Sequence, residues 1–421
     1  MEGSAALAAR STPRDLYYQD EANSLVQAIP VVYDTRFRQD FATLGAGQNV
    51  LYIPPSNGIN KTIIVLEYSA AQVAAAVGSY ALPRGWGYQA LSLLSWRIAG
   101  SQQYFATGAQ LLAANLRKCR TQSQRDALLS LGGQEVKNAD DITKPQRAYI
   151  PLSFFNAPSN DGLDVPVPSD LLGSQIQITA QVGAPSTFWV ANTNWGGAAG
   201  VLPTTFNAAY FQVEQLSMED RGMALANRPG VDMDTSTYVQ SIRSFDQQEL
   251  QAQVAAGGAT QTLTLNGFMS GQVRGLQVWL TKNSDGLNPV VWYKPDSVKC
   301  IFAGQVYAQY ENGSSAIWNL IDGTAPAAVN ASKLAVAAGP PGPATYLTST
   351  PVLSEYCLLP FAQPSHNDYE ADIMVSGMRI TNGSITLLIT PPSADAYTLH
   401  CVPILNAAIA YSRGSASLLI G

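Results

Sequence analysis

Only two histidines occur in the chain, His366 and His400, and each stands beside residues that could share in nucleophilic catalysis. Ser365-His366-Asn367-Asp368 collects the letters of a hydrolytic triad, and His400-Cys401 those of a thiol dyad. A triad is assembled across a fold, however, and neighbours on one strand or turn point in different directions. The spacing therefore predicts a solvated turn at His366 and, on a strand, opposite faces for His400 and Cys401. No zinc-protease HExxH, no GxSxG nucleophile elbow and no phosphate-binding P-loop is present. Gly85-Trp86-Gly87-Tyr88-Gln89-Ala90 has GxGxxA spacing. It follows Pro83-Arg84 rather than a strand and runs into Tyr88 to Ile98, which reads as strand, so a pyrophosphate would have no helix N-terminus to sit on. Asp140-Asp141 and Glu219-Asp220 are chain neighbours that read as solvated charges, and nothing brings two carboxylates to the opposed positions of glycoside hydrolysis. Cys119, Cys300, Cys357 and Cys401 lie far apart without a CxxC pair, which fits buried, reduced thiols better than a disulfide or zinc framework. Sequons at Asn60, Asn312, Asn330 and Asn382 read as chance in a chain rich in Asn, Ser and Thr. Met1-Glu2-Gly3 opens without a basic or apolar leader, which agrees with that reading. The expected inventory is no catalytic residue, no cofactor-binding residue, no metal ligand, no cofactor and no enzyme activity.

Composition narrows the classes further. The chain has 421 residues with 46% hydrophobic, so it is long enough for a sizeable core and too apolar for global disorder. Its net charge of −6 opposes a phosphate-neutralising role. No run of about twenty apolar residues exists, and Ala70 to Val77 is too short to span a bilayer. Charged residues make up only 13% of the chain, against roughly 25% in ordinary soluble proteins. Such a surface is expected to face other subunits or to be clothed in uncharged polar groups.

The elements that would position any site are mostly strands. In Gln175 to Val182, Ile176, Ile178, Ala180 and Val182 share one face and the glutamines the other, the period of a half-buried strand. Comparable strands are expected at Thr62 to Tyr68, Tyr88 to Ile98, Ala209 to Leu216, Thr262 to Leu265, Gly275 to Thr281, Cys300 to Tyr307, Ile373 to Ile380, Ser384 to Thr390 and Tyr397 to Leu405. Helix is expected only as an insertion. Thr107-Gly108 leads into Ala109 to Arg120, with Leu111, Leu112, Asn115, Leu116 and Cys119 at helical spacing. A second helix starts near Ser123 and stops at Gly132-Gly133, and both are expected over the open end of a barrel. The charge cluster Met218 to Arg221 and the polar run Asp232 to Gln248 mark a boundary. Asp322 to Pro351 reads as a long loop.

Taken in order, several segments resemble the double jelly-roll major capsid proteins of double-stranded DNA viruses, a lineage of tailless phages, large eukaryotic DNA viruses, virophages and polinton-like viruses. Ala28 to Phe41 resembles the opening strand. Leu94 to Tyr104 resembles a strand ending in a Gly turn before a helix. Tyr149 to Asn156, Leu163 to Pro168 and Gln175 to Val182 follow at similar intervals. Met218-Glu219-Asp220-Arg221 resembles the run that closes the first roll. Leu263 to Phe268 with Val273 to Trp279 is similar to the family's "Phe-Asn-His-Pro … Lys-Glu-Leu-Ile-Trp" passage, with Gly267-Phe268-Met269 departing from His-Pro. Ser376 to Ile380 and Val402 to Ile420 resemble its closing segments.

The resemblance implies an all-β fold of two tandem eight-stranded antiparallel jelly rolls with short helical insertions. It divides the chain into an arm over 1–27, a first roll over 28–221, a linker with a short helix over 222–244, and a second roll over 245–421. It implies a major capsid protein of the virion, made in the host cytoplasm or nucleus, whose pseudo-hexameric homotrimers tile an icosahedral shell. Its partners would be itself, neighbouring capsomers, and penton and minor capsid proteins, with no sequence-specific nucleic acid; an internal membrane beneath the shell stays open. The arm would lie on the inner face and order on assembly. The rival is a carbohydrate-binding or carbohydrate-processing β-sandwich, with Trp86, Trp189 and Trp195 as stacking candidates.

Overall fold

Period-two segments become antiparallel strands because alternate side chains then share one buried face. Along Ile176–Val182, Ile176, Ile178, Ala180 and Val182 are buried while Gln181 is exposed. The computed structural model describes residues 32–56, 58–77, 79–97, 104–119, 122–136, 144–152, 175–191, 200–218, 231–232, 237–268, 271–283, 292–302, 305–311, 356–361, 378–380, 383–412 and 415–420.

In the first half the long-range strands are β1 (Val32–Asp40), β2 (Gly47–Ile53), β3 (Gly58–Tyr68), β4 (Leu91–Arg97), β5 (Tyr104–Ala106), β6 (Gln146–Leu152), β7 (Ile176–Val182) and β8 (Ala208–Met218). They form two antiparallel sheets, β1-β8-β3-β6 and β2-β7-β4-β5. In the second half β9 (Thr237–Asp246) and β10 (Leu250–Val254) pair in succession with one partner and act as a single broken strand. They are followed by β11 (Gln261–Asn266), β12 (Gly271–Lys282), β13 (Ser297–Phe302), β14 (Gln305–Glu311), β15 (Cys357–Pro360), β16 (Ser384–Thr390) and β17 (Tyr397–Ser412). These give β9/β10-β17-β12-β15 and β11-β16-β13-β14. In each half, then, the first strand pairs with the eighth, the eighth with the third and the third with the sixth. The second, seventh, fourth and fifth line up in the facing sheet. The halves share no residue-level repeat, yet their topology repeats strand for strand.

Among the described residues, four α-helices interrupt the first half: α1 (Ala70–Ala76), α2 (Trp86–Ala90), α3 (Gly108–Lys118) and α4 (Gln122–Leu131). α1 begins in a full capping box, Ser69 accepting from Gln72 N and the Gln72 side chain accepting from Ser69 N. The core of the first half is closed by an aromatic cluster in which Tyr68, Trp86, Phe188, Trp189 and Phe206 are all buried, with Tyr68 and Phe206 centroids 4.7 Å apart. That of the second half combines Leu276, Val278, Leu280, Val298, Leu387, Ile389 and Leu399, all at 0% exposure, with the stacked and buried pair Trp279 and Trp292. Burying each such side chain is worth about 1.5–3 kcal/mol, which is why these positions set the register of every strand.

Several expectations change in the structure. Tyr88 to Ala90 is not strand but belongs to α2, because Gly85 at φ 75° turns the chain and the following turn buries Trp86 and Tyr88. Cys300 to Tyr307 is not one strand but the hairpin of β13 and β14, Phe302 lying opposite Gln305, and the sequence between them, Ala303-Gly304, has the small residues a two-residue connection needs. α4 begins at Gln122, so Ser123 is inside the helix rather than its cap. Pairing of β9 with β17 carries the second sheet back to Thr237, into residues whose polarity pointed to a linker. The arm 1–27, the loop Asp322 to Pro351, and residues 222–230 lie outside the described residues.

Candidate functional site

The helical insertion, expected over a barrel end, instead joins the two halves. α3 has two faces set by its 3.6-residue period. Leu111, Leu112 and Leu116 bury one face, and Asn115 there donates to Tyr88 Oη at 3.2 Å and to Pro151 O at 3.0 Å, both in the first half. The other face runs through Thr107, Gln110, Ala113 and Arg117, and every one of these reaches the second half. Gln110 Nε2 donates to Gln247 O at 2.8 Å, and its Oε1 accepts from Glu249 N at 3.0 Å. Gln277, fully buried on β12, donates Nε2 to Ala113 O at 3.1 Å and accepts from Arg117 Nη1 at 2.9 Å. Arg117 Nη2 then pairs with Asp246 Oδ1 at 2.6 Å. From α4, Arg125 donates to Tyr356 Oη at 3.1 Å.

The second half can receive α3 because its first strand is broken. Asp246 sits opposite Ile404 and Leu250 opposite Cys401, so three residues, 247–249, face two, 402–403. That mismatch is a bulge, and a bulge frees backbone groups from the ladder. Pro403, which has no N–H, stands at this point of the partner strand. The freed carbonyl of Gln247 and amide of Glu249 are the groups that Gln110 satisfies.

At the helix start, Thr107 is the N-cap, its hydroxyl oxygen accepting from Gln110 N at 3.1 Å while its O–H donates to Glu249 Oε2 at 2.8 Å. Glu249 Oε1 accepts from Gln251 Nε2 at 3.0 Å and bonds His400 Nδ1. His400 Nε2 meets Thr281 Oγ1 at 2.8 Å, and its ring lies parallel to Trp279, which stacks on Trp292 at 4.7 Å. Burial alone would raise the Glu249 pKa, but the bonds from His400, Gln251 and Thr107 hold it below the ordinary 4.5. Thr281, His400 and Glu249 stand in the order hydroxyl, imidazole, carboxylate. Here both carboxylate oxygens accept from protein donors, and the group joins β10, β12, β17 and α3.

Of the candidates read from sequence, His400 is on β17 with Cys401 buried on the opposite face of that strand. The α2 turn leaves no room for a phosphate: the Gly85 and Gly87 amides donate to Gly133 O and Gly132 O, and a Cβ on Gly87 would lie 2.4 Å from Ala148 Cβ. These glycines serve close packing. Trp86 and Trp189 are 0% and 1% exposed, so neither offers a stacking platform. Cys300, Cys357 and Cys401 are buried, Cys119 less so, and burial pushes the Cys300 and Cys357 thiols up to about 12. Among the described residues, no group of three or more His, Cys, Asp or Glu is placed to hold a metal, and no helix is long and apolar enough to cross a membrane. His366, Asp140, Asp141, Glu219, Asp220, Trp195, Asn312, Asn330 and Asn382 lie outside the described residues, as does the side chain of Asn60 on β3. What sequence reading missed is the joint itself. Its one visible signal was the polar stripe at 107, 110 and 117 opposite the mostly apolar face of Leu111, Leu112 and Leu116.

No protein-family model matches the sequence, and no curated protein is significantly similar to it. Solved structures, in contrast, align along nearly the whole chain. One is described as the capsid of the PBCV-1 virus, at a TM-score of 0.62 and 12% identity over 95% of this chain and 99% of that one. The Faustovirus major capsid protein aligns at 0.60 and 9% identity over 94% of each chain. The fold is a double jelly roll. Another double jelly roll, the major capsid protein of Sulfolobus Turreted Icosahedral Virus, aligns at 0.51 and 12% identity over 89% of this chain and 96% of that one. With the double jelly roll established, α3 is an insertion between the fifth and sixth strands of the first roll, and the bulge at 247–249 lies in the first strand of the second.

Proposed function

We propose that the chain is a major capsid protein, a structural subunit of the virion whose homotrimers act as pseudo-hexameric capsomers of an icosahedral shell. The observation that carries this reading is the tandem repeat of one eight-strand topology, matched over nearly whole chains by capsid proteins. Two equivalent rolls per chain give a trimer six similar corners, which tile a flat facet. The distribution of charge supports it. The outer face of β1-β8-β3-β6 is laced with Arg36, Lys61, Glu214, Arg38, Asp40, Glu67 and Arg147 in ion pairs. The β2-β7-β4-β5 sheet instead exposes Gln48, Tyr52, Ser92 and Gln181 with Arg97 as its charge, and the β11-β16-β13-β14 sheet exposes Thr262, Thr264, Tyr307 and Gln309 with Lys299 and Glu311 as its charges. These charge-poor faces suit contacts between subunits, whose centres are depleted in charge. The division into an arm (1–27), a first roll (28–221) and a second roll carried from the linker to 421 belongs to this proposal, as do neighbouring capsomers, penton and minor capsid proteins as partners, and a structural role without turnover.

The purified protein is expected to sediment as a trimer burying more than the roughly 2,000 Å² of a standard interface. A monomer at micromolar concentration and physiological salt would overturn the proposal. Tyr52→Asp, which places a charge at a face that must be desolvated, is expected to lower the trimer fraction at unchanged fold, read by sedimentation and circular dichroism. Deleting residues 1–24 is expected to leave trimers and abolish shells in electron micrographs; intact particles without the arm would remove it from the scheme.

A further inference from the structure

The cluster at the start of α3 has a property that packing alone does not require. Two links across the roll junction end on carboxylates of the second roll: Thr107 on Glu249, and Arg117 on Asp246. Of the other links described above, Arg117 to Gln277 and Arg125 to Tyr356 end on neutral acceptors, and Gln110 to the 247–249 backbone and Gln277 to Ala113 are between neutral groups. We propose that Glu249 is an acid-sensitive latch, whose ionised carboxylate ties the N-terminus of α3 in the first roll to β17 in the second, and whose protonation loosens the helix from the second roll before either sandwich melts.

The geometry gives the latch its leverage. The Glu249 side chain is 3% exposed and that of His400 12%, so the pair is screened from water and salt. One carboxylate oxygen receives the Thr107 hydroxyl, which polarises that hydroxyl while its oxygen caps the helix at Gln110 N. The other oxygen receives Gln251 and His400, and His400 in turn holds Thr281. Beyond these partners, Gln110 on α3 accepts from the Glu249 amide, the Trp279 ring on β12 stacks on His400, the Cys401 thiol on the other face of β17 feels the Glu249 charge, and Arg117 and Asp246 lie at the far end of the helix. Adding a proton to Glu249 removes its charge, turns one accepting oxygen into a donor that faces other donors, and leaves any charge on His400 without its counter-ion in a buried site. Among the described residues the apolar core-facing side chains of β7 and β16 include no carboxylate, whereas Glu67, which burial would raise but Arg147 and Asn207 hold below 4.5, sits on the ion-paired outer face of β3. The junction therefore yields before β7 and β16. The sign agrees with the depressed Glu249 pKa: the latch is complete above about 4.5 and fails as pH falls through the lower folded value.

The test is hydrogen exchange by mass spectrometry on the full-length protein between pH 7 and pH 3, compared as protection factors so that intrinsic exchange divides out. Protection across 107–119 and 247–254 is expected to fall about tenfold or more, as for loss of one charge-assisted hydrogen bond, at a higher pH than protection in β7 and β16. Glu249→Gln should show the loosened junction already at pH 7 and no further acid step there. Thr107→Val should do the same at the helix end, and Thr107→Ser should restore it. Simultaneous loss of protection at the junction and in both cores, or a wild-type acid profile in Glu249→Gln, would overturn the proposal. Should Glu249→Gln fail to fold, the wild-type profile and the Thr107 pair decide it.

Discussion

Gly108→Ala is expected to destabilise the protein by about 3 kcal/mol or more, the opposite sign to that of an ordinary helical glycine. A Gly to Ala change in a helix normally stabilises by about 1 kcal/mol, because alanine loses less backbone entropy on folding. At Gly108 the added Cβ would lie 1.7 Å from Tyr88 O and 2.6 Å from Leu91 O. Both are backbone oxygens at the point where α2 passes into β4, so no side chain can rotate away. The helix must lift off, and overpacking of this kind costs about 1–3 kcal/mol even where neighbours yield. Lifting α3 also withdraws Gln110 and Arg117 from the second roll, so the damage crosses the junction. Gly257→Ala is the control: it meets nothing within 4 Å and carries only the strain of its φ of 129°, which costs about 1 kcal/mol. Urea midpoints for the two variants check this, and equal shifts would show that the α2–α3 contact is softer than its geometry.

Trp279→Ala is the second large effect, with an expected loss of about 3–5 kcal/mol for emptying a fully buried indole site. Trp279 is 0% exposed and lies between Trp292 at 4.7 Å and His400 at 5.3 Å. The cavity therefore opens beside the Glu249–His400 pair and admits water to it. Trp279→Phe keeps a ring against His400 and is expected to lose less than half as much. Denaturant unfolding monitored by far-ultraviolet circular dichroism measures both, and a Trp279→Ala loss below about 1 kcal/mol would mean that the site collapses around the missing ring.

How much of this was legible beforehand depended on the range over which each signal acts. Alternation along Gln175 to Val182, or along Ser384 to Thr390, is local, and it marked strands whose buried faces the structure reproduces. Thr107 as a helix start and Gly132-Gly133 as a stop are likewise local signals, since caps satisfy groups within one turn. Local pattern failed at Trp86 to Ala90, where one helical turn is stabilised by burying Trp86 and Tyr88 among residues distant in sequence. It failed again at Cys300 to Tyr307, where apolar residues continue through a hairpin and the period does not register the reversal.

The junction lay beyond sequence altogether. Thr107 and Glu249 are 142 positions apart, Arg117 and Gln277 160, and Glu249 and His400 151, and no spacing rule connects such residues. The sequence by itself determined the strand-rich class, the apolar faces, the helical insertion and the shortage of charge, because each follows from the side chain and its near neighbours. Only the tertiary structure decided that the insertion is a joint between rolls, that His400 answers to Glu249 rather than to Cys401, and that two halves without a common sequence share one topology. The physical reason is that partner choice across sheets is made by the shape and hydrogen-bonding demand of surfaces that exist only once the strands have paired.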